Sequence, residues 1–290
     1  VILKRVSSMT ALAMITLCLM SCVSTLSCLG CTKSSSRVSA PFDLKPQQSF
    51  GLVLVDIEMK PSLCSYVKNP SAACNVNDIG LPTKTSSSVG SSVVVGHNNS
   101  STYVLTAAHV CSENSISKFV YKTSSGDHVN VVVEQKVSKI RVADYGGTER
   151  EASVFRVDKP NDLCVITTKD EWGYPFTVSS VDPEIGEKVF NVASPHKIWA
   201  PGMVLMMDGY YSGKNSVGFY HYTIPARPGS SGSPILNSEG KIVGMVQRAV
   251  MGFENLAIST STQAIREILS TLPEEEPPQI NPTKLDVFTL

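Results

Sequence analysis

A serine set between two glycines, in Arg227-Pro228-Gly229-Ser230-Ser231-Gly232-Ser233-Pro234-Ile235-Leu236, constrains this chain more than any other stretch. Glycine reaches backbone angles that other residues avoid, so Gly229 and Gly232 permit a turn that aims consecutive N–H groups into one small space. Such a space suits a developing oxyanion, and a serine beside it can attack a carbonyl. An apolar strand follows at once. Taken alone, the stretch is also compatible with a Ser/Gly turn in a surface loop.

Two further segments bear on it. In Tyr103-Val-Leu-Thr-Ala107-Ala108-His109-Val110 an apolar strand runs into two alanines and then a histidine. The small alanines allow tight packing, which places the imidazole at a fixed spot. In Asn161-Asp162-Leu-Cys164-Val-Ile166 an aspartate stands at the mouth of a strand that reads as buried. An aspartate there can accept from one ring nitrogen and leave the other free to take a serine proton. His109 precedes Asp162 by 53 residues, and Asp162 precedes Ser231 by 69.

Thr-Ala-Ala-His, Asp-Leu-Cys-Val-Ile and Gly-Ser-Ser-Gly-Ser-Pro, in that order, resemble the signature segments of trypsin-like (chymotrypsin-fold) serine proteases. The order His, Asp, Ser is the chymotrypsin order, not that of subtilisins or α/β-hydrolases. Glu151 to Ile166 and Ile185 to Pro195 resemble the corresponding segments of the bacterial HtrA/Deg family, and Gly-x-Ser-Gly-Ser-Pro also occurs in glutamyl-endopeptidase-like bacterial enzymes. The resemblance covers residues 50–272. It implies an all-β protein of two packed antiparallel six-stranded barrels, about 49–172 and 173–272, with a C-terminal helix. It also implies that Ser231 is the nucleophile, His109 the base and then acid, and Asp162 the residue that orients His109. The backbone N–H groups of Gly229 and Ser231 would form the oxyanion hole. Substrate would lie along Gln247, Arg248 and Ala249 as an added strand, with Pro225 and Ala226 in the pocket region. Pro225 stands where trypsins carry a specificity aspartate, so selection of Arg or Lys by that device is not expected. Arg248 replaces an apolar or small residue of many relatives.

The other acids and histidines compete poorly. Asp144 lies in a polar Tyr-Gly-Gly loop and Asp158 in a turn. His97, His128, His196 and His221 lack the small-residue approach of His109. Cys111 and Cys164 each follow a site residue by two positions and read as buried free thiols, although a disulfide between them is conceivable.

Composition narrows the class. Charged residues make up 17% of the chain, the formal net charge is zero, and no basic run is interleaved with aromatics, so no nucleic-acid partner is expected. No cofactor or metal is required by the chemistry. Val-, Ser- and Thr-rich runs between turns read as strands: Phe50 to Met59, 118–122, 129–133, 152–157 and 255–259. The family resemblance implies that Val93 to His97 and Thr102 to Thr106 form a hairpin. Residues 76–90 read as a polar loop up to the strand opening at Ser91. Thr260 with Gln263 fits a capping box, and Ile265, Ile268, Leu269 and Leu272 repeat at helical spacing.

Residues 1–31 carry Lys4 and Arg5 before an uncharged apolar stretch. Leu19-Met-Ser-Cys22 resembles a lipobox, which makes Cys22 a candidate lipidation site. A membrane anchor continuing to Cys31 and a plain cleaved signal peptide are the other readings. All three export the rest of the chain to the periplasm or cell envelope, and the first two tie it to a membrane. Cys18, Cys22, Cys28 and Cys31 have no histidine near them, so no zinc site is expected. Residues 32–48 read as a tether and 273–290 as a Pro/Glu-rich tail, too short for the PDZ domain that HtrA relatives usually carry. In an exported chain Cys64 and Cys74 are a candidate disulfide. The expected function is serine endopeptidase action on unfolded or specific proteins through an acyl-enzyme. The alternatives are a catalytically silent peptide-binding module and a single-site processing protease of phage or cell envelope.

Overall fold

The computed structural model describes residues 45–273, apart from 99, 113, 114 and 251. The leader with Cys22, the tether up to residue 44 and the tail from residue 274 lie outside the described residues. Among the described residues no helix is long and apolar enough to cross a membrane.

Two antiparallel sheets close on themselves. The first uses β1 (Phe50–Tyr66), β2 (Lys84–Asn98), β3 (Ser101–Ala107), β5 (His128–Asp144), β6 (Glu149–Asp158) and β7 (Leu163–Lys169); β4 (Ser115–Lys122) pairs outside the ring on β5. The ring runs β1-β2-β3-β7-β6-β5 and returns to β1. The second uses β8 (Lys188–Ala193), β10 (Met203–Lys214), β11 (Tyr220–Tyr222), β12 (Pro234–Leu236), β13 (Ile242–Val250) and β14 (Phe253–Ser259), with β9 (Trp199–Ala200) added on β10. Its ring runs β8-β10-β11-β14-β13-β12 and back to β8. Each is therefore a closed six-stranded barrel with one extra strand, and closure removes the sheet edges that invite aggregation.

Burial explains the sequence pattern. Val53, Val93, Leu105, Val165 and Ile166 fill the first barrel at 0–1% exposure. β13 faces two cores: Val243 and Val246 join the second, while Ile242 and Met245 join the larger one centred on the first barrel. That two-sided burial is why its apolar run is continuous instead of alternating. The helix α2 (Thr262–Leu269) docks Ile265 and Ile268 onto the same larger core. Each buried isoleucine contributes about 1.5–3 kcal/mol.

Several sequence expectations need correction. β1 and β5 run on past the barrel and, with β4, make a flap with its own small core of Ile79, Val129, Val131 and Val133. Cys64 and Cys74 are joined by a disulfide beneath it. Residues 84–90, read as loop, are strand: Thr85, Ser86 and Ser87 pair with Glu58, Ile57 and Asp56 and are exposed, so they carry no apolar signal. The helix cap is Ser261, whose side chain accepts from the Ala264 N–H at 3.1 Å. Thr260 turns instead to Asn161 Oδ1, and Gln263 bonds forward to Glu267.

The thiol expectation for Cys111 and Cys164 also fails, because the two form a disulfide with Cα atoms 6.6 Å apart. β3 pairs with β7 so that Thr106 faces Cys164 and Ala107 faces Leu163. The short helix α1 (Ala108–Cys111) then brings Cys111 back toward β7.

Candidate active site

The register of β3 and β7 decides where the chemistry sits. With Ala107 opposite Leu163, the residues just after β3 and just before β7 emerge side by side. Ala107 and Ala108 are buried at 0% and 4%, which leaves room for α1 to turn directly off the strand. His109 is held there twice. Its N–H donates to Asp162 Oδ1 at 2.9 Å, and Nδ1 lies 2.8 Å from Asp162 Oδ2. An ionised carboxylate only accepts, so Nδ1 carries the proton and Nε2 is left as an acceptor. The Asp162 carbonyl accepts from the Ala108 N–H as well, at 3.1 Å.

Asp162 has a left-handed backbone (φ 51°), a conformation Asp tolerates better than bulky residues. Its turn is tied by its neighbours: Asp158 accepts from the Asn161 N–H and from Asn161 Nδ2 at 3.2 and 2.7 Å. Asn161 also bonds across to the second barrel. Its carbonyl accepts from Gln247 Nε2, and its Oδ1 accepts from Thr260 Oγ1 at 3.4 Å. Asp158 thus orders the turn that presents Asp162. Asp144 pairs with Arg150 at 2.7 Å, away from this contact.

Ser231 faces His109 across a cleft of about 450 Å³ that both line, with Ala226, Val246, Gln247 and Ala249 in its walls. Pro225 is not among the lining residues. The Ser231 hydroxyl donates to the Gln247 carbonyl at 3.2 Å. The β13 edge beside it is open. β12 stops pairing at Met245, Val246 bonds to Gly232 and Ser233, and β14 covers only the far side of Arg248 and Ala249.

The loop before Ser231 presents two N–H groups. Pro228 O accepts from the His196 N–H at 2.7 Å, and Ser230 O accepts from the Ser233 N–H at 3.0 Å. In a trans peptide the N–H points opposite to the carbonyl, so those two bonds turn the Gly229 and Ser231 N–H groups the other way. Neither donates to an acceptor among the described residues. Gly229 has φ 97°, and a Cβ there would stand 2.4 Å from Ser194 O. Gly232 has φ 87°, and a Cβ there would stand 2.2 Å from Ser91 O. Both positions exclude a side chain on two counts.

Sequence reasoning missed what holds this loop. Ser91, fully buried on β2, donates its hydroxyl to Gly229 O at 2.8 Å and accepts from the Ser194 N–H at 3.0 Å. Its N–H donates to Ser231 O at 2.8 Å, and its carbonyl accepts from Thr106 Oγ1. The signal available was Gly90-Ser91-Ser92, small residues in β2 directly before its valine run at 93–95. His196 makes no hydrogen bond to His109 among the described residues; it contributes its backbone N–H, from a pair of left-handed residues with Lys197 (φ 51° and 59°). His221 contacts Phe219 O, and His97 contacts Thr102. Among the described residues no cluster of His, Cys, Asp and Glu is placed to hold a metal ion.

Fold and geometry define a double-barrel protein with a histidine–aspartate pair on one barrel facing a serine beside free N–H groups on the other. Residues 90–245, which contain all three side chains, match the trypsin-like peptidase domain, and the chain belongs to that family. It is 26% identical over 220 residues to the serine protease Do-like HtrA of Bacillus subtilis (strain 168), covering 70% of this chain and 44% of that protein. It is 27% identical over 129 residues to protein y4bJ of Sinorhizobium fredii (strain NBRC 101917 / NGR234), covering 42% of this chain and 20% of that one. The chain thus spans less than half the length of these relatives. The crystal structure of the serine endoprotease from Yersinia pestis superposes with a TM-score of 0.51 at 16% identity, covering 78% of this chain and 62% of that one.

Proposed function

We propose that the protein is a serine endopeptidase that cuts extended segments of other proteins. The observation that carries this reading is the double contact of His109 with Asp162 opposite Ser231, beside two N–H groups that no acceptor among the described residues uses. A substrate strand adds to the open edge of β13. The N–H of the residue to be cut takes the Gln247 carbonyl and displaces the Ser231 hydroxyl, which turns to His109 Nε2. Nε2 removes the proton as Oγ bonds to the substrate carbonyl carbon. The carbonyl oxygen becomes the oxyanion and is held by the Gly229 and Ser231 N–H groups, worth about 3–4 kcal/mol per donor. The C–N bond then breaks as His109 returns the proton to the leaving amine. Water, deprotonated by His109, releases the acyl group from Ser231.

Ala226, Val246 and Ala249 give the pocket beside Ser231 apolar walls, which fit a short apolar side chain at the cut residue. The Cys64–Cys74 and Cys111–Cys164 disulfides support action in an oxidising compartment outside the cytoplasm. The apolar stretch after Lys4 and Arg5 supports export by the same reading. Casein digestion by the full chain, beside Ser231→Ala, tests the proposal. Cleavage by the wild type and none by the variant is expected. A wild type that binds casein peptides and leaves them whole would turn the reading to a peptide-binding module.

A further inference from the structure

Arg248 is a cleft residue whose side-chain chemistry the peptidase reading leaves unused. It lies on β13, is exposed, and lines the same cleft as His109 and Ser231. Its guanidinium sits 5.4 Å from the centroid of the Phe219 ring, a cation–π contact that fixes its direction without neutralising it. Several other basic side chains of the protein hold carboxylates: Arg141 with Asp56 and Glu149, Arg150 with Asp144, Lys188 with Asp208. None of the ion pairs among the described residues involves Arg248. A cation held beside a peptide groove, with no carboxylate paired to it among the described residues, selects for an anion.

The register says which substrate residue meets it. Ser231 touches the Gln247 carbonyl, so the residue whose carbonyl Ser231 attacks lies across from Gln247. A strand added antiparallel to β13 then places the preceding residue across from Arg248, and the one before that across from Ala249. Directly opposed residues point to the same face with Cβ atoms about 4.5–5.5 Å apart, and the diagonal neighbour two residues on is about 7–8 Å away. The side chain one residue before the cut therefore shares a face with the Arg248 side chain, while the cut residue itself points to the other face, with Gln247 and Ala249.

We propose that Arg248 makes this site selective for an acidic residue, Asp or Glu, immediately before the cut residue. This rests on the peptidase reading for its register. The Phe219 contact restrains the planar fork on the face of β13 that lines the cleft, where a carboxylate can accept two N–H bonds. The pair is solvent-exposed, so the expected gain is modest: about three- to tenfold in kcat/KM for an acid over its amide isostere, falling with salt.

The test uses quenched fluorescent peptides with valine at the cut residue and Asp, Asn, Glu, Gln or Lys before it, given to the full chain, Arg248→Gln and Arg248→Glu at low and high salt. The acids should be cut fastest and Lys slowest by the wild type. Arg248→Gln should flatten the ranking, and Arg248→Glu should invert it. Labelling of Ser231 by a fluorophosphonate in each variant shows that the site is folded. Equal cleavage of all five peptides by the wild type, or an acid preference that survives Arg248→Gln, would overturn the subsite and leave the peptidase reading intact. Binding of the same peptides to Ser231→Ala separates the converse case. Acid-selective binding with no cleavage by the wild type would overturn hydrolysis and keep the subsite. Binding without charge preference and no cleavage would overturn both.

Discussion

The two barrels reach the cleft by different means. The first delivers His109 and Asp162 from the ends of paired strands. The β3–β7 register sets them side by side, two hydrogen bonds join them and a third ties Ala108 to Asp162, and the Cys111–Cys164 disulfide closes the same corner two residues further along each segment. The second barrel delivers Ser231 and its N–H groups from a loop with little strand structure of its own. That loop depends on neighbours: Ser91 reaches in from the first barrel, and His196 from an adjacent turn. The histidine corner is thus held locally and covalently, while the serine corner is held by close approach, left-handed glycines and buried hydroxyls. Apart from the reacting side chains themselves, loss of the supports of the first corner should show mainly as lost stability, and loss of the supports of the second mainly as lost turnover.

The largest effect expected is on the reacting groups themselves. Ser231→Ala and His109→Ala should each lower kcat by about 10⁴-fold or more with melting temperatures near wild type, and the double variant should be little worse than either, because the two act as one unit. Multiplicative losses in peptide hydrolysis would break the comparison at its root, since the two corners would then act separately.

Next are the glycines. Gly229→Ala places a methyl 2.4 Å from Ser194 O at a φ of 97°, and Gly232→Ala places one 2.2 Å from Ser91 O. Each should cost roughly 10²–10³ in kcat, the scale of one misplaced oxyanion donor. A Gly232→Ala enzyme with normal turnover would show that the loop yields without moving its N–H groups.

Ser91 is a positioning residue in this account. Ser91→Ala removes the hydroxyl that bridges Gly229 O and the Ser194 N–H, and leaves a buried donor unpaired at a cost of about 1–3 kcal/mol. Turnover should fall about tenfold with KM little changed. A peptide boronate, whose tetrahedral oxygen occupies the oxyanion site, should bind more weakly, while a product peptide binds as before. Equal weakening of both ligands would mark Ser91 as merely structural.

The Cys111–Cys164 pair sharpens the comparison from the other side. Replacing both with alanine opens a covalent loop of 53 residues and should cost about 2–5 kcal/mol of stability, read from denaturant unfolding. Below the new melting point kcat should drop no more than a few-fold, because the bonds between His109 and Asp162 remain. A loss of activity larger than that of Ser91→Ala, in an enzyme of near-normal stability, would reverse the roles assigned to the two corners.

These particulars mark how far the sequence could be read. His109, Asp162 and Ser231 were legible because their local surroundings are unusual: alanines before the histidine, an aspartate at a strand mouth, glycines around the serine. The two barrels were legible through the resemblance those segments carry, not through strand counting. Residues 84–90 failed as strand because a ribbon exposed to water carries no alternation. Cys111 and Cys164 failed as a pair because pairing depends on β3–β7 register, a long-range fact. Ser91 was hidden because its contacts, to residues 103 and 138 positions away, leave no local mark. The cap moved from Thr260 to Ser261 because Thr260 was taken by Asn161.

The account turns on His109 activating Ser231, and fluorophosphonate labelling of the full chain tests that most directly. Intact mass and peptide mapping should find a single adduct, on Ser231, forming at least about 10³-fold faster in the wild type than in His109→Ala. No adduct on Ser231, or the same labelling rate in both proteins, would contradict it.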